Sequence, residues 1–289
     1  MTTPRLTLAL LLPALLAPLL LAAGDETPLT VGHHARSPGE RFEVSSVAEV
    51  KLQAEIGTGF LAQRVSYDLR EEERLEVTVL EAAEDSQRRV QLSYPLRRGT
   101  TTAPLVGRKT KDRRVANKTY VVAESEAGLD VRDAAGEAST REKEARYVRA
   151  SWASLELEPA LHLLLEDGTL TPGQELVAPV DVARRLLGLP LEQLAPDALT
   201  LTVVGPATDG SIELRLVAQL SGAADVAGHD VRLTAELSGP LFIDAASGRT
   251  LKLELSGTTK IVADADDGLL SARGEGTLTL RRMLRELDE

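Results

Sequence analysis

Residues 211–220 read SIELRLVAQL, residues 231–237 read VRLTAEL and residues 251–255 read LKLEL. In the first, Ile212, Leu214, Leu216, Ala218 and Leu220 point one way while Glu213, Arg215 and Gln219 point the other. Val231, Leu233, Ala235 and Leu237 alternate with Arg232, Thr234 and Glu236, and Leu251, Leu253 and Leu255 with Lys252, Glu254 and Ser256. A period of two belongs to a strand with one dry and one wet face. The breaks at Asp209-Gly210, Gly222, Ser247-Gly248 and Asp267-Gly268 are too short to return a parallel strand. Residues 197–282 are therefore expected to form an antiparallel meander of five or six strands.

Working outward, the first half of the chain carries the same plan. Leu75, Val77 and Val79, then Val90 and Leu92, alternate around a break at Glu84-Asp85-Ser86. Shifted by 124 positions they fall on Leu199, Leu201 and Val203, then Leu214 and Leu216. Ala127–Val131 followed by Ala134-Ala135-Gly136 parallels Gly239–Ile243 followed by Ala246-Ser247-Gly248, and Pro38-Gly39-Glu40 parallels Pro172-Gly173-Gln174. These matches suggest an internal duplication. Between the halves, Ala145, Val148 and Trp152 are spaced for a helix over Thr140–Ser154, with Ser139 or Thr140 as its cap. A shorter helix is expected from Asp181 to Leu187, ended by Gly188. The segment from Gly99 to Lys118 lacks apolar periodicity and reads as a long exposed loop. Its cations Arg108, Lys109, Lys111, Arg113, Arg114 and Lys118 make it a candidate docking loop for an acidic partner or an anionic surface.

The expected fold is mainly β: two tandem antiparallel meander sheets, forming a sandwich or a curved half-barrel, with one or two packing helices. The expected organisation is a signal peptide at 1–24, a flexible leader at 25–37 and a first β half at 38–138. A helical and irregular connection at 139–196 and a second β half at 197–289 complete it. Residues 1–24, MTTPRLTLALLLPALLAPLLLAAG, place Arg5 before an apolar run that ends in small residues, the secretory pattern. With Pro13 and Pro18 inside the run and no stop-transfer segment after it, cleavage is expected to leave no transmembrane anchor. The product is expected to be exported, to the periplasm or beyond the cell.

Composition narrows the chemistry. No cysteine is present, which removes disulfides, thiolate catalysis and cysteine-ligated metals. The net charge of −11 argues against a nucleic-acid partner. His33 and His34 sit in the leader, His162 lies among leucines and His229 lies in a turn, without the converging ligands that a metal site needs. No nucleophile elbow and no paired-histidine zinc helix occurs. Asp264–Gly268 with Glu275 imitates a calcium loop but has Gly268 and Leu269 where an oxygen donor and a glycine belong, so it reads as a hairpin turn. Gly57-Thr58-Gly59 lacks the lysine of a phosphate loop, and Asn117-Lys118-Thr119 is formally a glycosylation acceptor. No catalytic, cofactor or metal residue is assigned, and no cofactor is expected.

In layout, residues 38–285 resemble the periplasmic lipoprotein carriers, a long antiparallel sheet curved around one or two helices. Duplicated β-rich exported bacterial proteins of unknown function are similar in the same way. The resemblance includes no diagnostic motif and implies no residue role. The expected function is that of an exported, non-catalytic binding or structural envelope protein, whose partner is an apolar small molecule or an envelope protein. The alternative is a periplasmic carrier holding a lipid or other apolar ligand in an aliphatic cavity. A hydrolase assembled from scattered acids and histidine is a third reading.

Overall fold

Alternation along the chain produces fourteen strands and two α-helices among the described residues of a computed structural model. These residues are 27–58, 61–82, 88–104, 107–126, 128–136, 141–155, 157–188, 195–226, 229–264 and 271–287. The first half holds β1 (Leu29–Thr30), β2 (Arg41–Thr58), β3 (Leu61–Glu81), β4 (Arg89–Ala103), β5 (Gly107–Asp112), β6 (Lys118–Ser125) and β7 (Gly128–Asp133). The connection holds α1 (Glu142–Ala153), β8 (Thr169–Leu170), β9 (Glu175–Val177) and α2 (Val180–Leu187). The second half holds β10 (Ala195–Pro206), β11 (Ser211–Val226), β12 (His229–Asp244), β13 (Thr250–Asp264) and β14 (Ser271–Glu286).

All strand pairs are antiparallel, and twelve strands form one open sheet in the order β7-β6-β4-β3-β2-β14-β13-β12-β11-β10-β9, with β5 beside β4. The two expected meanders are thus joined edge to edge. The seam is β14 on β2, sixteen paired residues from Ser271↔Gly57 to Glu286↔Phe42. The halves do not stack as a sandwich, and the sheet does not close into a barrel.

Each half buries part of one face in its own core. In the second half Leu199, Leu201, Leu214, Leu216, Leu237, Leu241 and Leu253 meet Val182, Ala183, Leu186 and Leu187 of α2. In the first half Phe42, Leu75, Val77, Val90, Leu92, Tyr94 and Val122 meet Ala145 and Val148 of α1. A fully buried leucine or valine contributes on the order of 1.5–3 kcal/mol, so these rows fix which face of each strand turns inward. Glu144 anchors α1 by accepting hydrogen bonds from Tyr120 (2.9 Å) and Lys118 (2.8 Å).

Several expectations change in the structure. Gly222 lies inside β11, which runs on to Val226 because its partner β12 continues opposite it. The Gly99–Lys118 segment is not a loop: β4 runs to Ala103 and β5 pairs back on it from Arg98↔Asp112 to Ala103↔Gly107. Every residue of β5 is exposed, so neither of its faces carries an apolar period to be seen. The leader expected to be flexible is docked between Leu29 and Arg36: β1 pairs with β8, and Val31 is buried in the second core. Buried Arg36 donates to Glu40 (3.1 Å) and Glu286 (2.6 Å) and stacks over Phe42 at 4.0 Å, tying the leader to both strands at one end of the sheet seam. The short helix begins one residue before Asp181, after Pro179, and Gly188 ends it with φ 55°. The expected signal segment 1–24, the break at 84–86, the caps Ser139 and Thr140, and residues 265–268 of the calcium-like turn lie outside the described residues.

Candidate functional site

Directly opposed residues of an antiparallel pair share a face, so the register traces rows across the sheet. One row runs Leu199, Ala218, Leu237, Gly257, Leu278, Val50, Leu69, Thr101, Lys109 over nine strands, from β10 to β5. The next rows away from the helices read Leu220, Ala235, Thr259, Gly276, Leu52, Tyr67, and then Leu233, Ile261, Gly274, Ala54, Val65. These rows continue the core face, yet Leu52, Ala54, Val65, Tyr67, Leu69, Leu233 and Ile261 belong to neither core. α1 lies against β7, and α2 against β10 and a 3-10 turn at Ala160–Leu164. The outer half of this face is therefore an apolar surface that runs on from the second core, through Leu220 and Ala235, to residues outside both cores. Leu69 is 39% exposed, and Val65, Tyr67, Leu233 and Ile261 are half-buried.

Three glycines shape that surface. Gly239, Gly257 and Gly276 step diagonally across β12, β13 and β14, each offset by two residues in register. A Cβ on any of them would overlap a carbonyl oxygen of the neighbouring strand: Glu254, Glu236 and Lys51 respectively. Each Cβ would point to the apolar face, so the neighbouring strand has folded up on that side. Glycine in a strand marks such close approach and bending. The apolar face is concave along this diagonal, and Leu52, beside Gly276, is only 6% exposed although no core cluster covers it. The result is an apolar trough bounded by β3 on one flank and β12 on the other.

A belt of charge separates the trough from the first core. Glu73 opposes Arg97 and Ser46, and Ser46 opposes Arg282. Arg97 meets Glu73 at 3.0 Å and Glu71 at 3.1 Å, Arg113 also pairs with Glu71, and Tyr147 of α1 donates to Glu73. Burial pushes the Glu73 carboxyl up, against the pull of Arg97 and the Tyr147 hydroxyl, and burial pushes the Tyr147 and Tyr94 phenols up as well. Arg282 is buried where the two cores meet and donates to the Ser154 carbonyl at 2.6 Å. Its guanidinium sits against Gly188, where the carbonyl end of α2 favours a cation.

The basic residues singled out from the sequence separate into three settings. Arg113 is tied to Glu71, and Lys118 to Glu144 at 2.8 Å. Lys109 and Lys111 stand on the trough side of β5, opposite Thr101 and Gly99, whereas Arg108 stands on the other side, opposite Thr102. Lys109, Lys111, Arg108 and Arg114 make no ion pair among the described residues. Of the histidines, His33 and His162 are in contact and His34 stands with Glu40. His162 Nε2 donates to the Gly32 carbonyl at 2.8 Å, and its ring meets that of His33 edge-on at 4.6 Å. His34 lies 3.1 Å from Glu40, and the side chain of His229 lies outside the described residues. Among the described residues no group of three or more metal-ligating side chains converges, and no helix is long and apolar enough to cross a membrane.

A hollow of about 1040 Å³ lies mainly on the opposite face of the trough's strands, lined by Gln53, Glu55, Arg64, Ser66, Lys260, Arg273 and Glu275, with Ala54, Gly57, Val65, Ile261, Val262 and Gly274 also in its wall. Its charges pair loosely, Lys260 with Glu275 and Arg64 with Glu55, each at 3.8 Å, as on an ordinary wet face. Sequence reasoning missed the trough because β2 and β3 interleave Ala, Gly and charged residues there. The available signal was the repeated small residue at every second position of β14: Ala272, Gly274 and Gly276.

No family model matches the chain, and no curated protein matches it in sequence. Among solved structures, one titled "Lipid-protein interactions in lipovitellin" is similar at 9% identity and a TM-score of 0.41, over 88% of this chain. The chain spans about a quarter of that protein, 26% of its length. The transport unit of the autotransporter AIDA-I from Escherichia coli aligns at 9% identity and a TM-score of 0.13, over 85% of this chain and 90% of that one. Likenesses this low carry no argument about function.

Proposed function

We propose that this is an exported, non-catalytic binding protein that carries a molecule with a long alkyl chain in the trough. The observation that supports the reading is the concave outer half of the sheet, where Leu52, Val65, Tyr67, Leu69, Leu233 and Ile261 extend the apolar face beyond both cores. Contiguous apolar surface left outside a core marks an interaction site. From β3 to β12 the trough crosses five strands, and with about six residues of depth it measures roughly 20 Å each way. That is about 400 Å², half of the roughly 800 Å² each partner buries in a standard protein interface, and concavity suits a chain better than a second protein surface.

The test is native mass spectrometry of the protein isolated from its own cells without detergent, followed by organic extraction and binding of hexadecan-1-ol to the stripped protein. A bound alkyl compound, or saturable hexadecan-1-ol binding that Ile261→Glu abolishes while the circular dichroism spectrum is kept, supports the carrier. A ligand-free mass together with no hexadecan-1-ol binding removes it.

A further inference from the structure

The trough has one flank that differs chemically from the rest. Beyond Leu69 its row passes through Thr101 to Lys109, and the adjacent row through Glu71 and Gly99 to Lys111. Both lysines are exposed on the edge strand β5, and neither has an acidic partner among the described residues. Nearby cations are neutralised: Arg97 and Arg113 by Glu71 and Glu73, and Arg98 by Asp112 at 2.8 Å. The flank therefore offers two free ammonium groups on the apolar side of the sheet, two strands, or about 10 Å, from Leu69. A lysine stem can lie along apolar surface while its head stays in water, which brings the ammonium toward the trough.

We infer that the molecule held in the trough carries a negative headgroup, seated against Lys109 and Lys111 with its alkyl chain running over Leu69 toward Ile261. This inference rests on the carrier reading and adds the polarity and orientation of the ligand. Charge on an edge strand also guards against edge-to-edge pairing, but Arg108 on the opposite face serves that purpose equally well. What the guard does not require is a pair of unpartnered cations on the trough's face, one of them in the row of Leu69.

The experiment compares binding of hexadecanoate and hexadecan-1-ol, equal in chain length and different in charge, to the stripped protein at low ionic strength. Hexadecanoate is expected to bind roughly five- to tenfold tighter, the scale of two half-screened charge contacts, and the preference is expected to shrink as salt is raised. Lys109→Gln/Lys111→Gln is expected to erase the preference while leaving hexadecan-1-ol binding unchanged. Arg108→Gln, a neutralisation of equal kind on the other face, is expected to leave the preference in place. Equal binding of the two probes, or a preference untouched by the double variant, overturns the headgroup assignment and leaves the carrier standing. Failure of both probes to bind overturns the carrier itself, and this inference with it.

Discussion

Gly257→Ala is the sharpest test of the bent sheet. Gly257 does not occupy the left-handed backbone region, so alanine meets no torsional strain there. Through the unfolded chain alone the substitution would stabilise the protein by about 0.4–1 kcal/mol. Against this, the new methyl overlaps the Glu236 carbonyl and approaches Leu237, both backbone, and strands β12 and β13 must move apart to admit it. Overpacking of this kind costs about 1–3 kcal/mol, so the overlap wins. Central values leave a net cost of about 1.3 kcal/mol, and at about 2–4 °C per kcal/mol for a domain of this size the melting temperature should fall by roughly 3–5 °C. Thermal unfolding followed by circular dichroism reads this directly, with Ser256→Ala, one residue away on the exposed face, as the control. If the glycines act as one crease, Gly257→Ala and Gly276→Ala together should cost less than their sum, because the first flattening relieves the second contact. A melting temperature unchanged or raised in Gly257→Ala would refute the crease and the concavity argued from it.

Three further outcomes are expected. Arg97→Met leaves buried Glu73 without its cation and should cost about 3–5 kcal/mol, measured by guanidinium unfolding. Because burial raises the Glu73 carboxyl in the folded state, that loss should be largest at alkaline pH and recede as acid protonates it. At Glu40 burial works upward, but hydrogen bonds from Ser37, His34 and Arg36 and the charge of Arg249 hold the carboxyl below its usual value. Its stabilisation should therefore be complete above the ordinary glutamate range and fade as pH drops through the depressed folded value. Glu40→Gln should flatten that acid limb in urea titrations at successive pH values. Gly188→Ala should lower the melting temperature, since the residue sits at φ 55° and its Cβ would come within 2.5 Å of the Arg282 guanidinium. An unaltered melting temperature would remove the packed junction between α2 and β14.

The period of two is plainest where alternate residues enter a core, although that of Val231–Leu237 runs on into the trough. β11 is legible from Ile212 to Leu220 because each alternate residue enters the core opposite α2. β5 is illegible because both its faces are wet, and Gly222 looks like a break because only pairing with Leu233 keeps it extended. The long β2–β3 hairpin is hidden for a related reason: from Glu71 to Arg74 charges occupy both faces, which pairing with Arg97 and Arg113 makes tolerable only in three dimensions. The seam between β14 and β2 leaves no local trace, since register between distant segments is set by matching apolar rows rather than by any turn. The candidate site shares this limit. Lys109 and Lys111 stand out as charge in one dimension, but that they share a face with Leu69 follows only from two consecutive strand pairings.

Because β2 finds its second neighbour only in β14, every strand between them in sequence must be delivered before the middle of the sheet can be completed. Contacts between segments so remote in sequence form slowly, and until they form each half presents a bare backbone ladder some sixteen residues long. A chain stalled or clipped ahead of Ser271 keeps the β2 ladder open, and the nearest complement is β14 of an intact copy. Such fragments are expected to capture full-length molecules by strand exchange, so premature termination here should poison the normal product as well as forfeit the truncated one.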